Sequence, residues 1–150
     1  MVPGDQFQQL QTVVETILGR YDLEKFNHSW DLCQEVLAGS VVRRFYVTAE
    51  PGYANVAILT DQLLVDVEGD DENESTPPGV TARHLSAISG IDIVEGPVEH
   101  VPDAEDAELV VSAYVAGSEV VDLHWIANTA DEKAYLLMFG QSLIKAMAES

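Results

Sequence analysis

Cations are scarce in this chain, with 7 Lys and Arg against 26 Asp and Glu in 150 residues, a formal charge of −19. A surface that binds a polyanion needs clustered Lys and Arg to displace counterions, and the one adjacent basic pair is Arg43-Arg44. Nucleic acid and anionic membrane are therefore not expected as partners. The charge points to a basic protein partner, to a high-salt milieu, or to plain solubility. Cysteine is scarcer still: Cys33 stands alone, so no internal disulfide can form, as in a reducing compartment. Long apolar runs are missing too, and none approaches the ~20 residues that span a bilayer. The opening Met-Val-Pro-Gly-Asp lacks the basic and apolar regions of a secretory signal. A cytoplasmic location is the expectation.

What is present reads as one domain of 150 residues in three parts: a helical extension over 1–39, an antiparallel β region over 40–127, and a C-terminal helix over 128–148. Phe7, Leu10, Val14, Ile17, Leu18 and Tyr21 recur every three or four positions, predicting a helix that Gly19 ends or weakens. Leu23, Phe26, Trp30, Cys33 and Leu37 continue that period. They fit a single second helix, or a short loop at 27–29 followed by a helix capped by Ser29 and ended by Gly39. The loop-and-helix version is the better of the two.

From Gly39 onward the texture turns to β-branched and aromatic residues. Strands are expected at 41–48, 55–59 and 63–68, with turns at Glu50-Pro51-Gly52-Tyr53 and Thr60-Asp61-Gln62. Leu63, Val65 and Val67 alternate with Asp66 and Glu68, so one face of that strand should be dry and the other wet. The segment 70–79 combines like charges, Pro and Gly with nothing apolar to bury, and no structure is expected there. Strands resume at 80–85 and 87–94. A second acidic stretch over 95–108 precedes a hairpin in which Leu109, Val111, Ala113 and Val115 turn at Gly117-Ser118 towards Val121, Leu123 and Trp125. Thr129 and Glu132 form a capping box for the last helix, whose apolar stripe is Leu136, Phe139, Leu143 and Met147, with Ile144 beside it.

The residues Leu59-Thr60-Asp61-Gln62-Leu63-Leu64, the segment Leu85-Ser86-Ala87-Ile88-Ser89-Gly90-Ile91, and a terminal helix after Trp125 together resemble bacterial pleckstrin-homology-like domains over residues 41–148. The resemblance implies an α+β fold: an antiparallel β-barrel or strongly bent sheet with N-terminal helix or helices and a capping C-terminal helix. That architecture is used mostly for binding, and because the chain shows no phosphate-cradling Gly-rich loop, nucleophile elbow or zinc-protease motif, enzyme activity is not expected. Members that read phosphoinositides place basic residues around the loop between their first two strands. The corresponding loop here is Glu50-Pro51-Gly52-Tyr53, so headgroup binding is not expected.

No catalytic constellation, cofactor motif or metal-ligand spacing is expected from the residues. Cys33 lies on an apolar stripe and reads as a small buried hydrophobe, and His28, His84, His100 and His124 share no spacing suited to gripping a metal. Asp66, Glu68, Asp70 and Glu72 alternate, but Gly69 and the missing terminal Glu do not satisfy a calcium-loop pattern. Between Asp61 and Glu108 there are fourteen acids against Arg83 alone. Asp66, Glu68, Asp70, Asp71, Glu72, Glu74, Asp103, Glu105 and Asp106 are therefore the candidate surface for a partner. The leading expectation is a non-catalytic protein-binding or regulatory module, which could self-associate through its N-terminal helix. The alternative is an acidic inhibitor, immunity-type or secretion-chaperone-like protein that takes a basic or extended partner.

Overall fold

In the computed structural model, residues 5–96, 108–115 and 123–149 are described. The chain divides into two compact units, Met1–Arg83 and His84–Ser150, each of which mixes helix with antiparallel sheet. The expected Gly117-Ser118 hairpin lies outside the described residues.

The first unit starts with two helices, α1 (Phe7–Arg20) and α2 (Glu24–Val36), followed by strands β1 (Val42–Glu50), β2 (Tyr53–Thr60), β3 (Leu63–Asp70) and β4 (Gly79–His84), paired in that order. Asp5 and Gln6 tie the start of α1 to β1. The Asp5 carboxylate accepts from the Phe7 and Val42 amides at 3.0 and 3.2 Å, and the Gln6 amide donates to the Val42 carbonyl at 2.7 Å. Gly19 does not end α1, which runs one residue further to Arg20, a cation placed favourably in the last turn. The two-piece expectation for 22–38 is corrected. A single helix runs through 27–29, because Ser29 is spent on the sheet and not on a cap: its hydroxyl donates to the Glu68 carbonyl and accepts from the Gly79 amide, each at 2.8 Å.

Strand register explains which residues meet the helices. Val47 pairs with Val56 and Val56 with Val67, while Phe45, Ile58 and Val65 form the neighbouring row. These rows pack in one core with Leu10, Val14 and Ile17 of α1 and Phe26, Trp30 and Cys33 of α2. Each fully buried Val, Leu or Phe side chain there contributes about 1.5–3 kcal/mol over exposure. Gly69 of β3 ends a third row, Ala49, Ala54 and Gly69, and a Cβ at that position would collide with the Phe26 backbone. Its missing side chain is what lets α2 lie directly on β3. The other face of the sheet is not simply wet, because Ala57, Leu59 and Leu64 are also buried. The clean dry-and-wet division expected of β3 is therefore corrected.

In the second unit a single 3₁₀ turn (Leu85–Ala87) leads into β5 (Ile88–Glu95), β6 (Leu109–Val115) and β7 (Leu123–Ala127), a three-stranded antiparallel sheet on which α3 (Ala130–Glu149) packs. The capping box forms as expected. The Thr129 hydroxyl accepts from the Glu132 amide at 3.2 Å, and the Glu132 carboxylate accepts from the Thr129 amide at 3.1 Å. Leu136, Phe139 and Leu143 are buried, and Phe139 meets Trp125 edge-on with ring centroids 5.3 Å apart. Gly140 lets the helix approach Ile93 and Val111. Ile144 departs from the expected stripe and is 45% exposed. The hydrogen bonding of the described strands defines two sheets of four and three strands, not one closed barrel.

Candidate functional site

The antiparallel register of β2 and β3 decides where the acids collect. Tyr53 lies opposite Asp70, Asn55 opposite Glu68, and Ala57 opposite Asp66, while Glu50 pairs with Tyr53 across the first turn. Asp66, Glu68 and Asp70 thus share the sheet face away from α1 and α2, grouped around Tyr53 and Asn55. The Asn55 amide donates to Asp66 at 3.0 Å and to the Val67 carbonyl at 3.3 Å, so this buried amide is satisfied. Burial pushes the Glu68 carboxyl above its ordinary range, and the like charges of Asp66 and Asp70 push it in the same direction. The Tyr53 phenol is also raised, by burial first and then by Glu68, Asp66, Asp70 and Glu50, so it remains neutral. Such a cluster favours any cation brought near it.

The neighbouring acidic segment does a different job. The expectation that 70–79 lacks structure is corrected, because α2 holds it in place. Leu23 gives α2 no side-chain cap. Asp71 supplies one from across the fold: its two carboxylate oxygens accept from the Glu24 and Lys25 amides, each at 3.0 Å. The Lys25 ammonium returns to the same loop, donating to the Asn73 carbonyl at 2.6 Å and the Thr76 carbonyl at 2.7 Å. Asp70 accepts from the Glu72 amide at 3.1 Å, and Asn73 accepts from the Ser75 amide and hydroxyl. Composition alone favours disorder here, but the tertiary bonds from α2 outweigh it.

The candidate acids therefore separate. Asp66, Glu68 and Asp70 converge, Asp71 caps a helix, Glu72 and Glu74 lie on the exposed loop, and Asp103, Glu105 and Asp106 lie outside the described residues. Tyr53, Asn55, Lys25 and Ser29 were missed as partners of these acids. The first two had a legible signal, since a hairpin centred on 60–62 places 53 and 55 beside 70 and 68.

Cys33 is fully buried, and burial pushes its thiol up to about 12, so it is not a thiolate at neutral pH. His124 is exposed on β7, pointing away from the core as its alternation with Trp125 predicts. Among the described residues, no group of three or more His, Cys, Asp or Glu side chains is arranged to hold a metal ion. A cleft of about 480 Å³ opens between the start of α1 and the end of α2, lined by Gln8, Gln11 and Gln34 over Phe7 and Leu37. Among its described lining residues the one carboxylate, Asp5, is already bonded to backbone amides. No described helix is long and apolar enough to cross a membrane. Comparison with protein-family models, curated proteins and solved structures finds no match for this chain.

Proposed function

We propose that this protein is a non-catalytic protein-binding module on a pleckstrin-homology-like scaffold, and that the face bearing Glu50, Asp66, Glu68 and Asp70 receives a Lys- or Arg-rich segment of a partner. The observation that carries the reading is the strand register that gathers Glu50, Asp66, Glu68 and Asp70 around Tyr53 on one sheet face, where burial and like charges raise the Glu68 carboxyl. A guanidinium or ammonium brought to that face relieves the repulsion of Glu68 by Asp66 and Asp70, so docking of a cation and release of a proton are linked. The order of elements, with antiparallel strands followed by a packed terminal helix, supports the scaffold. Phosphoinositide headgroups are not the ligand in this reading. The first turn carries Glu50, and the Glu72 side chain lies against Gly52. An acidic inhibitor or a secretion-chaperone-like protein would use the same charge complementarity, differing in whether the partner is a folded basic surface or an extended chain.

The test is fluorescence anisotropy with a labelled Lys/Arg-rich peptide and a Glu-rich control. Binding is expected for the basic peptide only, to weaken with added salt, and to fall when Glu68→Gln and Asp70→Asn are combined. Binding that ignores both salt and these substitutions removes the support for this face.

A further inference from the structure

The outward side of α3 contrasts with the rest of the molecule. Among the described residues seven large hydrophobic side chains are exposed, and four of them, Tyr135, Leu137, Met138 and Ile144, lie on this one helix at 67%, 39%, 46% and 45% exposure. In a chain with 26 acids, the only charge between Ala134 and Ala148 is Lys145. A helix face maintained for solubility would carry carboxylates as the other surfaces do. Depletion of charge with apolar exposure is instead the pattern of an interface core.

The charges in line with Met138, which are Asp131, Lys145 and, one turn further, Glu149, point to the occupant. Asp131 lies seven residues before Met138 and Lys145 seven after it, and all three are exposed. Steps of seven drift only ~20° around a helix, so the three form one line along the outward face. A two-fold axis at Met138 sets Asp131 of one helix beside Lys145 of the other, twice over, with Met138 between them and Tyr135 and Leu137 on opposite flanks of the line. A parallel pair would set like charge on like charge. The antiparallel pair also opposes the two helix dipoles favourably.

We propose that the protein self-associates through α3, two copies pairing these helices antiparallel about an axis near Met138. The contact is isologous, with each copy presenting the same strip. A helix of 20 residues is about 30 Å long. One helix pair therefore gives a contact near the small end of specific interfaces, and the dimer is reversible at micromolar concentration. Because both copies are strongly acidic, added salt tightens this contact, the opposite of its effect on the basic partner proposed for Glu68.

Sedimentation equilibrium on the full chain, from about 1 to 100 μM, tests this. The mass is expected to rise from 16.4 kDa towards twice that value. Met138→Glu should hold the chain as a monomer with an unchanged circular-dichroism melt, because the side chain it replaces is exposed. Lys145→Glu should weaken association about three- to tenfold, and adding Asp131→Lys to it should restore association. A wild-type monomer across the range, a dimer that survives Met138→Glu, or a double charge reversal no better than the single one overturns the proposal, as does another protein occupying this face while the chain stays monomeric. Basic-peptide binding at Glu68 should persist in Met138→Glu, so each reading fails on its own evidence.

Discussion

Replacing Asp71 by Ala removes the cap of α2 from a position far away in sequence, and the cost follows from what the carboxylate does. It accepts from the Glu24 and Lys25 amides and sits at the positive end of the helix. A lost N-cap costs about 0.5–2 kcal/mol, and an anion at a helix start adds about 0.3–1 kcal/mol. Since Glu24 is exposed and water can reach its freed amide, the expected loss is about 1–2 kcal/mol. With a urea slope of about 2 kcal/mol/M, the midpoint should fall by about 0.5–1 M. Trp30 lies in α2 and Trp125 in the other unit, so a Trp125→Phe background lets the fluorescence of Trp30 report the first unit alone. Lys25→Met removes the other half of the clasp, the bonds to the Asn73 and Thr76 carbonyls, and should cost a similar amount. Both residues hold one loop, so the double variant should lose less than the two singles added, with a coupling of about 0.5–1 kcal/mol. Additive losses, or an Asp71→Ala midpoint within about 0.2 M of wild type with unchanged exchange at the Glu24 and Lys25 amides, would refute the clasp.

Further outcomes follow from single contacts. Gly69→Ala forces α2 off β3, and the first unit should lose at least about 2–3 kcal/mol or fail to fold; a stable variant would disprove the close approach at Phe26. Glu68 binds its proton more tightly folded than unfolded, so it lowers stability as pH rises from about 4.5 through its raised folded value. Glu68→Gln should therefore be more stable than wild type at pH 7, with the gap closing near pH 4, and destabilisation at pH 7 would contradict this. Cys33, buried and raised to about 12, should resist iodoacetamide at pH 8 until denaturant is added, whereas rapid native labelling would mean that the stripe opens.

The local pattern alone determined much of this molecule. Period-3.6 apolar residues marked α1 and α3, alternating β-branched residues marked the strands, and Thr129 with Glu132 marked a helix start, because each signal depends on neighbours within a few positions. Tertiary structure decided the rest. Ser29 looked like a cap and became a bridge between β3 and β4, and the acidic run after Asp70 looked unstructured until Lys25 and the α2 amides supplied its partners. The gathering of Asp66, Glu68 and Asp70 around Tyr53 required the pairing register, and the exposure of Ile144 required the position of α3 on its sheet. Hydrogen bonds and packing between residues 39 to 51 positions apart leave no periodic trace in the chain, so which acids tie the fold together and which only gather on a sheet face was decided when the strands and helices came together.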